Sequence, residues 1–170
     1  VVDEENIRNI KPLPNLDYKI VCGNSLLGIT MDLYNNQLIS DLEKYKSLYF
    51  QETNLNKKNS YKIQIDELIS QITKGKKDFD FEIFFSEVFH QKNGFDIVIA
   101  NPPYGAKFKA NEKNRIIEKY KNYDSQRNSA SFFIELATNI SRKKVGIVTY
   151  IVPKSLSFSE GWKPTREFVT

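Results

Sequence analysis

Hydrophobic positions along this chain fall into blocks of two different periods. Leu38, Leu42, Tyr45 and Tyr49 recur three or four residues apart between Gln37 and Phe50, which predicts an amphipathic helix. After the polar break "TNLNKKNS" (53–60), Ile65, Leu68, Ile69 and Ile72 form a second stripe, so a helical hairpin is expected, closed by Gly75 and the lysines at 74, 76 and 77. Phe132, Phe133, Leu136 and Ile140 predict a further helix over Ser131–Ile140, and a last one begins near Ser159 and carries Trp162, Phe168 and Val169. Three other blocks read as strands. Tyr18 to Cys22 is short and ends in Gly23 and the turn formers Asn24 and Ser25, whereas Phe95 to Ala100 is the clearest. Lys144 to Val152 is nearly continuous in β-branched residues, as expected for a strand covered on both faces. The phenylalanine-dense "FDFEIFFSEVF" (79–89) alternates at its start and predicts an extended segment packed on the core.

Strands separated by helices predict an α/β layered domain. The 170 residues suit one domain, and a 40% hydrophobic content suffices for a core. No apolar run reaches membrane-spanning length, and the charged opening "VVDEENIRNIKPLPN" lacks the hydrophobic centre of a signal peptide. A lone Cys22 cannot close an internal disulfide, which fits a reducing cytoplasm. With a single histidine, His90, beside it, no metal site is expected. Asp78, Asp80 and Glu82 are expected to be alternating charges on an exposed strand face. Charge is concentrated in 105–127, a basic loop whose surplus of positive charge equals the +4 of the whole chain. Lys107, Lys109, Lys113 and Arg115 are its candidate phosphate contacts. A solvated helix face with i,i+4 pairing is the plainer account of the same charges.

The main chemical signal is "FDIVIANPPYG" (95–105), a buried strand running straight into Asn-Pro-Pro-Tyr. Two prolines remove two backbone donors and stop helix and ladder alike. At the carboxyl end of a parallel strand, where open α/β sheets place ligands, Asn101 offers a side-chain carbonyl and Pro102 a backbone carbonyl. Pro103 helps hold them in fixed relation, and Tyr104 gives a flat face for stacking. Two converging acceptors beside a ring suit a planar amine such as the amino group of adenine. Accepting both N–H bonds frees its lone pair to attack a methyl donor. A chain of this length carries such a tetrapeptide by chance roughly a few times per thousand.

"FDIVIANPPYG" resembles the catalytic motif of amino-group methyltransferases that use S-adenosylmethionine, above all the N6-adenine DNA methyltransferases. "LPNLDYKIVCGNSLLG" (13–28), the hairpin, "FDFEIFFSEVF" and "IVPKSL" (151–156) stand in the order found in one subgroup, the large adenine methyltransferases of bifunctional type II restriction–modification enzymes and related phage-defence systems. The resemblance spans about residues 12–170. It implies a partial Rossmann-like methyltransferase sheet with a helical hairpin inserted over 30–78, acting on double-stranded DNA. Asn101 and the Pro102 carbonyl would hold the target amino group, and Tyr104 would stack on the flipped base. Asn24 and Ser25, together with Asn101, would contact the cofactor, and Pro153, Lys154 and Ser155 would border the base pocket. Asn24 as a turn former and Pro153–Ser155 as a strand exit are the plainer accounts. Asn128 and Ala130 stand where family members often carry Asp and Tyr.

The family's glycine-rich cofactor loop is missing, because the seven glycines include no Gly-x-Gly. The first strand block matches the family's third strand, so the two central strands and a target-recognition domain are expected outside this sequence. The 170 residues are therefore expected to be a middle piece of a catalytic domain, inactive alone and prone to self-association through uncovered strand faces. Two other functions fit parts of the sequence. Protein-glutamine and ribosomal RNA guanine methyltransferases share Asn-Pro-Pro-aromatic, and a non-catalytic DNA-binding or assembly module would need only the basic segment.

Overall fold

The computed structural model describes residues 16–29, 35–75, 79–121 and 128–170. Two helices come first, α1 (Asn35–Gln51) and α2 (Leu55–Thr73), followed by the short α3 (Phe81–Phe84) and α4 (Ser86–Lys92). Strand β1 (Ile97–Ala100), α5 (Ala110–Lys119), α6 (Ser129–Ile140) and β2 (Ile147–Tyr150) follow, and 3-10 turns at Lys154–Ser157 and Glu160–Trp162 lead into α7 (Lys163–Val169). The described sheet has two strands, β1 and β2, paired in parallel with Ile97 opposite Ile147 and Ala100 opposite Tyr150. Helices α5 and α6 lie in the crossover between them, so this part of the chain is α/β.

α1 and α2 pair as the helical spacing predicts, burying Ile39, Leu42 and Tyr49 against Ile65, Leu68 and Ile72. Asn54 caps α2 by accepting from the amides of Asn56 and Lys57, and Lys74 in the left-handed region ends it. A second core gathers Leu26, Ile116, Tyr120, Phe132, Leu136 and Ile140. Side chains of this size stabilise by about 1.5–3 kcal/mol each when fully buried. Phenylalanines 79, 81, 85, 89 and 95 link the two cores through ring contacts, such as Phe89 against Phe95 at 5.5 Å. Lys46, almost fully buried, adds a polar link, since its ammonium donates to the Phe84 carbonyl and the Glu87 carboxylate at 2.7 Å each.

Five expectations are corrected. Residues 81–84 and 86–89 are helical rather than extended, because Asp80 caps α3 by accepting from Glu82 N–H and Asn93 in the left-handed region closes α4. The same Asp80 accepts from Ile29 N–H at 3.1 Å, so it is a structural cap and not one of a row of strand charges; Asp78 lies outside the described residues. Tyr18 to Cys22 is a turn and coil, not a strand. Tyr18 has φ 60° and sets its ring edge-on to Tyr49 at 5.5 Å, with its hydroxyl donating to Asp66, which curls the segment onto the hairpin. The basic segment is not a loop throughout, since α5 occupies 110–119 on the strength of buried Ile116; residues 122–127 lie outside the described ones. Finally, β2 is not covered on both faces. Ile147 and Val148 are 59% and 38% exposed, and Ile97 and Ile99 of β1 are 58% and 74% exposed.

The start of both strands is fixed by one junction. Phe95 N–H donates to the Ile140 carbonyl at 2.9 Å, Arg142 N–H to the Phe95 carbonyl at 3.0 Å, and Ile147 N–H to the Asp96 carbonyl at 2.9 Å. Gly94 permits this approach with φ +127°, and a Cβ there would lie 2.7 Å from the Ile140 carbonyl oxygen. Gly94→Ala is expected to destabilise the fold by about 2–3 kcal/mol, measured as a lowered urea midpoint at unchanged slope.

Candidate active site

β1 and β2 leave the sheet at the same end because they are parallel. Ile151 N–H donates to the Ala100 carbonyl at 3.2 Å, carrying the pairing one residue past the strands. Asn101 therefore departs beside Ile151, and Pro153, Lys154 and Ser155 follow on the neighbouring chain. The Tyr104 hydroxyl donates to the Ile151 carbonyl and comes within 3.3 Å of Asn101 Oδ1. Asn101, Pro103 and Tyr104 are exposed, whereas Pro102 is buried and anchors the turn. The Asn-Pro-Pro-Tyr set and the Pro153–Ser155 set are thus brought to one end of the sheet, with an exposed carbonyl acceptor and a half-exposed ring side by side. Pro153 itself precedes the 3-10 turn Lys154–Ser157 rather than simply ending a strand.

Asn24 is engaged locally, its Oδ1 accepting from Leu26 N–H at 3.1 Å in a tight turn. The next residues tie that turn to the core, because the buried Tyr120 hydroxyl donates to the Leu26 carbonyl at 3.0 Å. Burial, helped by the charges of Asp80 and Glu135, raises the Tyr120 pKa and keeps it a neutral donor. Ser25 lies on the rim of a cleft of about 420 Å³ over β1, whose walls include Phe81, Phe85, Phe95, Ile97 and Ile99. A larger cavity of about 620 Å³ between α1, α4 and α6 touches none of the expected site residues.

The four expected phosphate contacts are exposed but do not form one row. Lys107 follows the Asn-Pro-Pro-Tyr turn, and Lys109 and Lys113 are one helical turn apart at the start of α5. Arg115, two residues beyond Lys113, is rotated by about 200° at helical spacing, so it does not extend their line. Among the described residues, no three His, Cys, Asp or Glu side chains gather in a way that could hold a metal ion. None of the described helices is long and apolar enough to cross a membrane.

A residue that pattern reasoning passed over is Ser129, fully buried at the first turn of α6. Its hydroxyl donates to the Pro103 carbonyl and accepts from Ala106 N–H at 3.0 Å. A lone serine has no periodicity to betray it; the one available signal is its place just after Asn128, whose Oδ1 caps the helix through Ala130 N–H at 3.1 Å.

The family model for the Eco57I restriction-modification methylase matches residues 21–170. The chain belongs to that family. No curated protein and no solved structure matches it. Membership makes it a methyltransferase-family chain of restriction–modification type. Methylases of this kind generally use S-adenosylmethionine. The residues present fit only part of that cofactor: the phenyl-lined cleft beside Ser25 suits an adenine ring, but among the described residues no carboxylate lines it to hold a ribose diol.

Tyr150 also borders this cleft, and burial pushes its pKa from 10.0 up to about 12. The folded state thus favours the neutral phenol. The resulting stability is fully present below pH 10 and is lost as pH rises through 10 towards 12. Urea midpoints measured across that window should fall for the wild type and fall less steeply for Tyr150→Phe.

Proposed function

We propose that these residues form the amino-acceptor half of a site-specific DNA methyltransferase that modifies the N6 amino group of a flipped adenine within a restriction–modification or phage-defence system. The observation that carries the proposal is the position of Asn101, exposed at the carboxyl end of β1 with Tyr104 beside it. Asn101 Oδ1 and the Pro102 carbonyl would accept the two N–H bonds of the amine, directing its lone pair outward. Asn101 retains capacity for this because a carbonyl oxygen has two lone pairs. The Tyr104 ring would stack on the extruded base, after its hydroxyl exchanges the Ile151 carbonyl for solvent. Pro153, Lys154 and Ser155 would border the base pocket. S-adenosylmethionine would supply an electrophilic methyl carbon; Asn24 and Ser25 would meet its adenine, and this chain's described residues supply nothing for its other end.

Two features support the further proposal that the 170 residues act as the middle of a larger Rossmann-like catalytic domain and do not transfer methyl groups alone. The sequence has no Gly-x-Gly, and apolar faces of β1 and β2 lie uncovered. Ile97, Ile99, Ile147 and Ile151 would then be covered by further strands in the complete sheet, and would drive self-association when bare. Lys107, Lys109 and Lys113 would hold DNA phosphates beside the base pocket, with Arg115 a separate contact.

The test supplies the full-length protein with S-adenosylmethionine carrying a labelled methyl group, and with duplex DNA and total protein as acceptors. Label recovered as N6-methyladenine, and reduced at least about 100-fold in Asn101→Ala, is the expected result. Label in protein glutamine, or transfer unaffected by Asn101→Ala, overturns the proposal. Replacing Lys113 by Ala should weaken DNA binding equally across sequences and reduce the slope of log affinity against log salt by about 1.

A further inference from the structure

We propose that Ser129 is a positioning residue that holds the Asn-Pro-Pro-Tyr turn in its acceptor geometry, an inference that rests on the function proposed above. The turn cannot brace itself in the usual way, because Pro102 and Pro103 have no N–H to donate. Gly105, with φ +65°, reverses the chain, so residues 103 and 106 stand on either side of the Tyr104–Gly105 bend. A single buried oxygen joins these two sides. The Ser129 hydroxyl donates to the Pro103 carbonyl and accepts from Ala106 N–H at 3.0 Å. A hydroxyl is both donor and acceptor, which a carbonyl, an ammonium or an indole is not.

The mounting is rigid. Ser129 is fully buried, and the helix that carries it is locked into the core through Phe132, Leu136 and Ile140. Helix capping does not account for the serine, because Asn128 Oδ1 already accepts from Ala130 N–H and Ser131 Oγ donates to the Asn128 carbonyl at 2.7 Å. Both Ser129 hydroxyl bonds go instead to the turn that follows β1. Its effect is to place Tyr104 and Asn101 relative to the sheet, and small misplacements of such groups cost rate rather than binding.

The test compares the full-length wild type with Ser129→Ala, which removes one oxygen, and Ser129→Cys, which fills the site with a weakly bonding thiol. Steady-state methyl transfer to duplex DNA and hydrogen exchange at the Ala106 amide are both measured, with melting temperatures to identify folded variants. The expected result is faster Ala106 exchange and a fall in kcat of about tenfold or more, with KM for DNA and for S-adenosylmethionine within about twofold. Unchanged kcat in a folded variant overturns the role, as does a loss confined to melting temperature, and so does Ala106 exchange equal to wild type. If neither variant folds, the serine is a structural staple and the positioning role is overturned. A wild type that transfers no methyl group to DNA overturns the underlying function, and this role with it, before any variant is compared.

Discussion

Everything at the candidate site depends on the parallel register of β1 and β2, and that register is set at their entry rather than along their length. Each described strand has only four residues, too few to define pairing by itself. The alignment comes from the bonds of Phe95 with Ile140 and Arg142, reinforced by the Arg142–Asp96 ion pair. Arg142, and after it Lys92, bonds the Asp96 carboxylate and holds its pKa below the usual range. A shift of one residue here would reverse which side chains face the cleft. It would also separate Asn101 from the carbonyl of Ile151 that Tyr104 now reaches.

Two cores share the work of holding this junction. The α1–α2 hairpin builds one, and α5, α6 and the turn at Leu26 build the other. The phenylalanines between them serve both, which explains why the segment around 79–95 is so rich in aromatic residues. The polar turn at Asn24–Leu27 is tied to the second core through Tyr120, so its place beside β1 is inherited from α5. A chain segment whose charges look purely electrostatic thus also anchors the rim of the cleft.

Periodicity made the long helices legible, because Leu42 or Leu136 leaves a stripe that no loop imitates. It also made β1 and its abrupt stop at Asn-Pro-Pro-Tyr legible, since prolines constrain backbone wherever they occur. It failed over 79–89, where phenylalanine is so dense that helical and extended patterns coincide, and where Asp80 and Asn93–Gly94 were the usable start and stop signals. Over α5 it left loop and solvated helix face both open, because Ile116 within the helix and Tyr120 at its end are outnumbered by charges. Tyr18–Cys22 reads as a strand because Ile20 and Val21 lead into the turn formers at 23–25, a pattern that says nothing about whether Tyr18 prefers a ring partner on the hairpin. Ser129 was invisible for a deeper reason: its contacts depend on where α6 lies in space, which no local pattern encodes.

Lys46 shows how the hairpin is joined to the rest. Its buried ammonium spans from α1 to the Phe84 carbonyl and Glu87, at the boundary of α3 and α4. A buried cation of this kind is costly to leave unpaired, so the hairpin cannot slide on α4 without stranding it. The hairpin therefore behaves as a keyed fitting with a single seating. The seat thus keeps the outward faces of the hairpin at one fixed angle to α3 and α4.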